Sequence, residues 1–222
     1  MNNITVRLIC LVIGYIFGMF QTAYIYGKVR QGIDIRTEGS GNAGTTNAIR
    51  VFGKKAGLIT AICDVLKCIL AVVLVGAIFR NSQPDIVFLL RMYAAAGVIL
   101  GHVFPCFMNF RGGKGIACFG GMILAFADWR LTLIGLAFLA GCLLITKYMS
   151  LGSLTGTLSF LIGIIVRGQK GAYPLDQNHL IEMYIIVGLL VALAWFKHRG
   201  NIQRLLSGTE RKTYIFGKAK NK

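Results

Sequence analysis

Glycine, hydroxyl, amide and basic residues crowd into three short stretches of this chain, and that mixture is the chemistry of anion binding. The first runs Thr37-Glu38-Gly39-Ser40-Gly41-Asn42-Ala43-Gly44-Thr45-Thr46-Asn47-Ala48-Ile49-Arg50. No side chain from Gly39 to Gly44 is bulky, so backbone N–H groups can turn inward around an anion, and a helix starting after them adds its dipole. Ser40, Asn42, Thr45, Thr46 and Asn47 supply hydroxyl and amide donors, and Arg50 supplies a planar fork suited to phosphate. The second stretch joins Gly101-His102-Val103-Phe104-Pro105 to Arg111-Gly112-Gly113-Lys114-Gly115. A lysine between glycines suits a helix poorly but makes a point charge held close to backbone donors. The third is Lys197-His198-Arg199-Gly200-Asn201-Ile202-Gln203-Arg204. On a continuing helix His198 and Asn201 share a face, and His198 can donate to phosphate or exchange a proton near neutral pH.

Neighbouring patterns exclude other chemistries. Gly39, Gly41 and Gly44 match a dinucleotide fingerprint with Asp64 downstream, but no strand–turn–helix unit surrounds them and Asp64 lies in an apolar run. Lys114 is followed by glycine, not by the Ser or Thr of a phosphate-binding P-loop. No His is followed five residues later by Asp, so the common acyltransferase dyad is missing, and so is an Asp-rich metal motif. The six cysteines show no Cys-x-x-Cys spacing, and although His102 and Cys106 stand four apart, no further ligands join them. Neither metal nor cofactor is expected. A site so poor in acids works by positioning and anion stabilisation rather than through a strong base. Asp64 and Lys67, three apart in an apolar run, read as an internal ion pair, and Glu210 as a partner for nearby arginines.

The elements that must position these residues are membrane helices. Of 222 residues 55% are hydrophobic and 14% charged, against about 25% charged in soluble domains, and the mean hydropathy is +0.67. Seven apolar segments stand out, about 4–26, 56–79, 86–104, 115–127, 131–146, 151–166 and 180–196, several of them short. The expected class is an all-α integral membrane protein of about seven spans, a single domain over 1–222. Its net charge of +16 sits in the loops between spans, which favours anionic headgroups and substrates over nucleic acid. With seven spans, seventeen Lys and Arg fall on one side and six on the other, so the N-terminus is expected outside and the C-terminus in the cytoplasm. All three anion-binding stretches then face the cytoplasm, where they can form one site. A transporter of an anionic metabolite is the alternative, although polar groups gathered at one face fit it less well. A lipid-binding assembly factor leaves the ordered donors unexplained.

Taken in order, the three stretches resemble the signatures of the bacterial acyl-phosphate:glycerol-3-phosphate acyltransferases, the PlsY family, along nearly the whole chain. Thr45 stands where that family usually has alanine. The resemblance implies transfer of a fatty acyl group from acyl-phosphate to the 1-hydroxyl of glycerol 3-phosphate. The product is lysophosphatidic acid, the opening step of phospholipid synthesis at the inner face of the bacterial cytoplasmic membrane. It also implies coupling to the enzyme that makes acyl-phosphate. By this resemblance Ser40, Arg50, Lys114, His198 and Asn201 are the catalytic candidates. Gly39, Gly41, Asn42, Gly44, Thr45, Thr46, Asn47, Gly112, Gly113 and Ser150 are the substrate-binding candidates, Ser150 lying in a short loop after the fifth span. The proton of the attacking hydroxyl goes to a substrate phosphate or to His198.

Overall fold

The computed structural model describes residues 3–126 and 128–213, and among them every regular element is a helix. Residue 127, at the end of the fourth apolar segment, and the tail lysines Lys218, Lys220 and Lys222 lie outside the described residues. Besides short 3₁₀ turns at Ile35–Thr37 and Cys106–Met108, the helices in order are α1 Asn3–Gly18, α2 Thr22–Gln31, α3 Thr45–Phe52, α4 Lys54–Phe79, α5 Val87–Val103, α6 Ile116–Ala125, α7 Trp129–Thr146, α8 Met149–Gln169, α9 Gln177–Lys197 and α10 Arg199–Leu206. Among the described residues six stretches are long and apolar enough to cross a membrane, the first running through α1 and α2. The seventh, α6, is 10 residues long and rises roughly 15 Å, half of a bilayer core.

Close backbone contact holds α1 against α5. A Cβ on Gly14 would sit 2.0 Å from the Ala94 carbonyl oxygen, and one on Gly97 would sit 2.1 Å from that of Leu11. Gly18 and Gly101 repeat the arrangement one turn on, at 2.2 Å from Val98 O and Tyr15 O. Such small-residue seams let membrane helices gain dispersion energy where water offers no hydrophobic drive. Near the other end of the bundle Arg7 of α1 donates to both carboxylate oxygens of Glu182 on α9, at 2.6 and 2.8 Å, and Tyr93 of α5 joins them.

The first apolar segment reads as one span but breaks between α1 and α2. A break frees carbonyls that hydrocarbon cannot satisfy. Lys67 of α4 supplies the donors, reaching Gly18 O at 3.2 Å and Phe20 O at 2.7 Å, and the buried Gln21 amide adds bonds to Gly18, Gly101 and His102 carbonyls. Lys67 Nζ also lies 2.8 Å from Asp64 Oδ1 and 2.8 Å from His102 Nδ1. The internal Asp64–Lys67 pair expected from spacing is present, and it organises three helices.

A side chain satisfies the C-terminal end of the short α6. Arg91 donates to Ala125 O at 2.6 Å, and Asp128, just past the helix, pairs with Arg167 of α8 at 2.6 Å. Irregular backbone at this depth is tolerated because protein groups satisfy it.

Candidate active site

The residues between α2 and α3 form a cage built by asparagine and glycine. Gly39 and Gly41 have φ +60° and +72°, a left-handed conformation that glycine adopts without strain. A Cβ on Gly39 would meet Asn47 Oδ1 at 2.3 Å. That oxygen instead accepts Ser40 N–H at 2.8 Å, while Asn47 Nδ2 donates to Ile35 O and Glu38 O. Asn47, expected to offer a donor to an anion, is fully buried and has its amide committed to the loop, because a turn this tight needs a side chain to close its backbone bonds. The loop's outer edge is pinned by Arg36, which forks onto Asp34 and donates to Met108 O at 2.9 Å. The Arg36 guanidinium holds the Asp34 carboxyl below its usual range.

Gly44 leads into α3, so Thr45, Thr46 and Asn47 occupy its first turn. The Asn47 and Ala48 N–H groups bond Gly44 O, and Thr45 and Thr46 ahead of them border a cavity of about 1280 Å³ that Ser40 and Asn42 also line. The buried Thr45 hydroxyl has no hydrogen-bond partner. Arg50, at the end of this helix, reaches Thr213 Oγ1 at 3.4 Å.

The second stretch turns back onto the end of α5. Gly112 N–H bonds Val103 O at 3.2 Å and Gly113 N–H bonds His102 O at 3.0 Å. A Cβ on Gly112 would lie 2.0 Å from His102 O, and one on Gly113 would lie 2.1 Å from His102 Nε2. Backbone approach this close needs glycine, and it fixes where Lys114 begins. Lys114 Nζ donates to Asn201 Oδ1. Burial, and behind it the charges of Arg204, Arg50 and Lys197, outweigh Glu210 and bring its ammonium down to about 8.

The third stretch is not one continuing helix. α9 ends at Lys197, and His198, at φ −98° and ψ 4°, joins it to α10. Its Nδ1 lies 2.7 Å from Ala194 O. A carbonyl only accepts, so the proton sits on Nδ1 and Nε2 keeps its lone pair. Burial, then the charge of Lys114, push the imidazole down to about 4, so it is neutral at pH 7. Asn201 follows in the first turn of α10, its N–H bonded to His198 O at 2.8 Å.

Glu210 ties these parts together. Its Oε1 accepts from Ser150 Oγ at 2.8 Å and Asn201 Nδ2 at 2.6 Å, and its Oε2 accepts from Arg204 Nε at 2.8 Å. Ser150, expected in a loop, lies in the first turn of α8, because only Lys147 and Tyr148 separate that helix from α7. Burial works against charge on Glu210, but the bonds from Asn201, Ser150 and Arg204 prevail and hold its carboxyl below the usual range. Replacing Glu210 with alanine orphans three donors. The expected loss is about 1–3 kcal/mol, seen as a lower melting temperature in detergent. Because the folded value lies below the unfolded one, this stability is present above the usual carboxylate range. It fades as pH falls through the depressed value, so the gap between wild type and Glu210→Ala narrows in acid.

The cavity therefore gathers all three stretches, with Ser40, Lys114, Ser150, His198 and Asn201 among its lining. A family model described as glycerol-3-phosphate acyltransferase matches residues 8–208. The chain belongs to that family. It is 39% identical to the glycerol-3-phosphate acyltransferase of Thermoanaerobacter sp. (strain X514) over 201 residues, covering 90% of this chain and 92% of the relative. With that of Clostridioides difficile (strain 630) the identity is 41%, covering 92% and 94%. The fold is similar to the crystal structure of PlsY (YgiH), an integral membrane glycerol 3-phosphate acyltransferase, in its glycerol 3-phosphate form. That match has a TM-score of 0.78 at 30% identity and covers 95% of this chain and 96% of the other. The lysophosphatidic acid form of PlsY gives 0.75 at 27% identity, covering 95% of each. This chain is thus an integral membrane member of an acyltransferase family.

Two further contacts close the site of this acyltransferase. Arg211 Nη1 donates to Gly39 O at 3.1 Å, and Thr213 N–H bonds Lys147 O at 2.8 Å, so the segment after α10 folds across the first loop. The basic character of that segment was the one signal for Arg211. Thr213 had none. His102 and Cys106 do not share a face: His102 is buried against Lys67, while Cys106 is exposed beside Met19. Among the described residues, Asp64, His102 and Cys118 bring metal-binding atom types within 4.8 Å of one another. The Lys67 ammonium lies against two of them and opposes a cation there.

Proposed function

We propose that this protein transfers a fatty acyl group from acyl-phosphate to the 1-hydroxyl of glycerol 3-phosphate. The observation that carries the reading is the shape of the cavity. Its polar end collects the three glycine-rich and basic stretches, and its other end runs between α4, α6, α7 and α8 among Val65, Ile123, Leu136 and Phe160. Two phosphates and one hydrocarbon tail need such a two-part site. Apart from Asp64, which is paired with Lys67, the lining around Val65, Ile123, Leu136 and Phe160 carries no charge, which argues against an anion-transport pathway.

In this reading Gly39, Ser40, Gly41, Asn42, Gly44, Thr45 and Thr46 offer backbone and hydroxyl donors to the acyl-phosphate and to charge developing on its carbonyl oxygen. Arg50 and Lys114 neutralise phosphate, with Gly112 and Gly113 setting the approach of Lys114. Asn201, held by Glu210, keeps Lys114 aimed, and Ser150 braces Glu210. His198 Nε2 accepts a hydrogen bond from the glycerol hydroxyl and orients it. The hydroxyl oxygen forms a bond to the acyl carbon, the bond from that carbon to the phosphate oxygen breaks, and inorganic phosphate leaves. The hydroxyl proton goes to a substrate phosphate, whose second pKa near 6 makes it a better base than His198 at about 4. The acyl donor comes from a separate acyl-phosphate-forming enzyme, and the polar end faces the cytoplasm of a bacterium.

Purified protein is to be given palmitoyl-phosphate and labelled glycerol 3-phosphate without metal or coenzyme A. Labelled lysophosphatidic acid is expected, at least about 100-fold less of it from Arg50→Ala. Transfer from palmitoyl-coenzyme A but none from palmitoyl-phosphate overturns the donor. No product from either, in a folded preparation, turns the reading to anion transport.

A further inference from the structure

Several helical glycines in this bundle are required by close backbone contact, Gly14, Gly18, Gly97 and Gly101 among them. Gly121, for example, leaves no room for a Cβ, which would fall 2.4 Å from Val65 O. Gly120, Gly135 and Gly156 differ. A Cβ on each would find one neighbour within 4 Å, at ordinary contact distance: Val65 at 3.9 Å, Ile123 at 3.6 Å and Gly135 O at 3.7 Å. Their packing does not demand glycine. All three line the apolar part of the cavity, on α6, α7 and α8 in turn.

The hydroxyls in that region leave it apolar. Thr132, Ser153 and Thr157 each donate to a carbonyl four residues earlier, at 3.0, 2.9 and 2.9 Å, so they turn back onto their own helices. The lining on α8 begins beside Ser150 and reaches Phe160, which is 3% exposed and packs in the core with Leu131 and Ile164. Along α8, Gly156 lies roughly 9 Å from Ser150 and Phe160 roughly 15 Å. The cleft thus continues past the glycine level, and Phe160 is the last α8 residue along its lining.

We propose that Gly135 and Gly156 determine acyl-chain specificity by holding the cleft open for the distal half of a long chain, with Phe160 as its end wall. This rests on the acyl-phosphate reading above. A leucine at 135 projects toward Ile123 across the cleft, and a leucine at 156 fills the space beside Gly135. Either leaves the polar end untouched and removes the path beyond the first several carbons. A chain that short still reaches the reacting carbonyl.

The test compares kcat/KM for octanoyl-phosphate and palmitoyl-phosphate in wild type, Gly135→Leu and Gly156→Leu, with Gly156→Ala as a variant whose Cβ fits. The palmitoyl-to-octanoyl ratio is expected to fall at least about tenfold in each leucine variant and to stay near the wild-type value in Gly156→Ala. Octanoyl transfer by the leucine variants is expected to stay within about threefold of wild type. The two leucines sit on different helices, so a folded preparation of either one decides the matter. An unchanged ratio, or an equal loss for both donors, overturns the proposal. If wild type transfers from neither donor, the acyl-phosphate reading itself fails, a result distinct from transfer without discrimination.

Discussion

Lys114→Met lowers kcat/KM for glycerol 3-phosphate by about 10³-fold at pH 7, the scale seen when one preorganised cation or donor is taken from a phosphate-transfer site. The ammonium stands on a glycine-bounded turn whose backbone is fixed by His102 and is aimed by Asn201. The titration of Lys114 supplies a second readout. With a value of about 8 in the substrate-free protein, it loses charge as pH rises through that point, and kcat/KM falls with it. Stability moves the opposite way. The folded value lies below the unfolded 10.5, so the folded state releases the proton first and its stability rises between about 8 and that unfolded value. Mild alkali therefore yields a protein that is firmer and less active. Lys114→Arg keeps its charge throughout this range, and its kcat/KM shows no falling limb near pH 8. Initial rates from about pH 6.5 to 9.5 check both points. A limb that persists unchanged in Lys114→Arg assigns it to another group.

Lys67→Met costs about 3–5 kcal/mol, because removing one partner strands a buried opposite charge. Asp64 and Lys67 are 1% and 5% exposed, so water cannot substitute. The same change strips donors from the Gly18 and Phe20 carbonyls at the break between α1 and α2. A loss of this size is comparable to the whole stability of many domains, and thermal unfolding in detergent is expected to shift sharply or to show no folded species. Asp64→Asn combined with Lys67→Met removes both charges and recovers part of the loss. If Lys67→Met melts like wild type, the break in the first span is held by something else.

Local pattern made much of this molecule legible. The three polar stretches interrupt apolar runs, and the lysine and arginine bias put them at one end of the bundle, where one cavity gathers them. The break at Met19–Gln21 was not legible, since the carbonyls it frees are satisfied in part by Lys67, a residue 46 positions beyond Gln21 on α4, together with Gln21 itself. Glu210 read correctly as an arginine partner, but its bonds to Ser150 and Asn201 join residues 60 and 9 positions away. Spacing carries no trace of such a bond. Asn47 and Thr46 look alike in sequence as donors in one helix turn. Both border the cavity, but Asn47 is fully buried with its amide committed to closing the loop, while Thr46 is only partly buried. The junction at His198 was hidden too, since residues 197–204 have no proline to mark the end of α9.

Leu124 and Leu136 line the apolar cleft and are 48% and 54% exposed, an exposure expected of a cleft that opens sideways toward lipid. A ligand that enters by that route is sampled from a two-dimensional solution, and its effective concentration is its mole fraction among lipids. Rates measured in mixed micelles should then follow surface dilution: adding inert detergent slows the reaction at fixed amounts of both reactants. The soluble reactant obeys ordinary bulk concentration from the open polar end. On the proposed reaction, two reservoirs of different dimensionality meet at one acyl carbonyl, and membrane area becomes a kinetic variable for this protein.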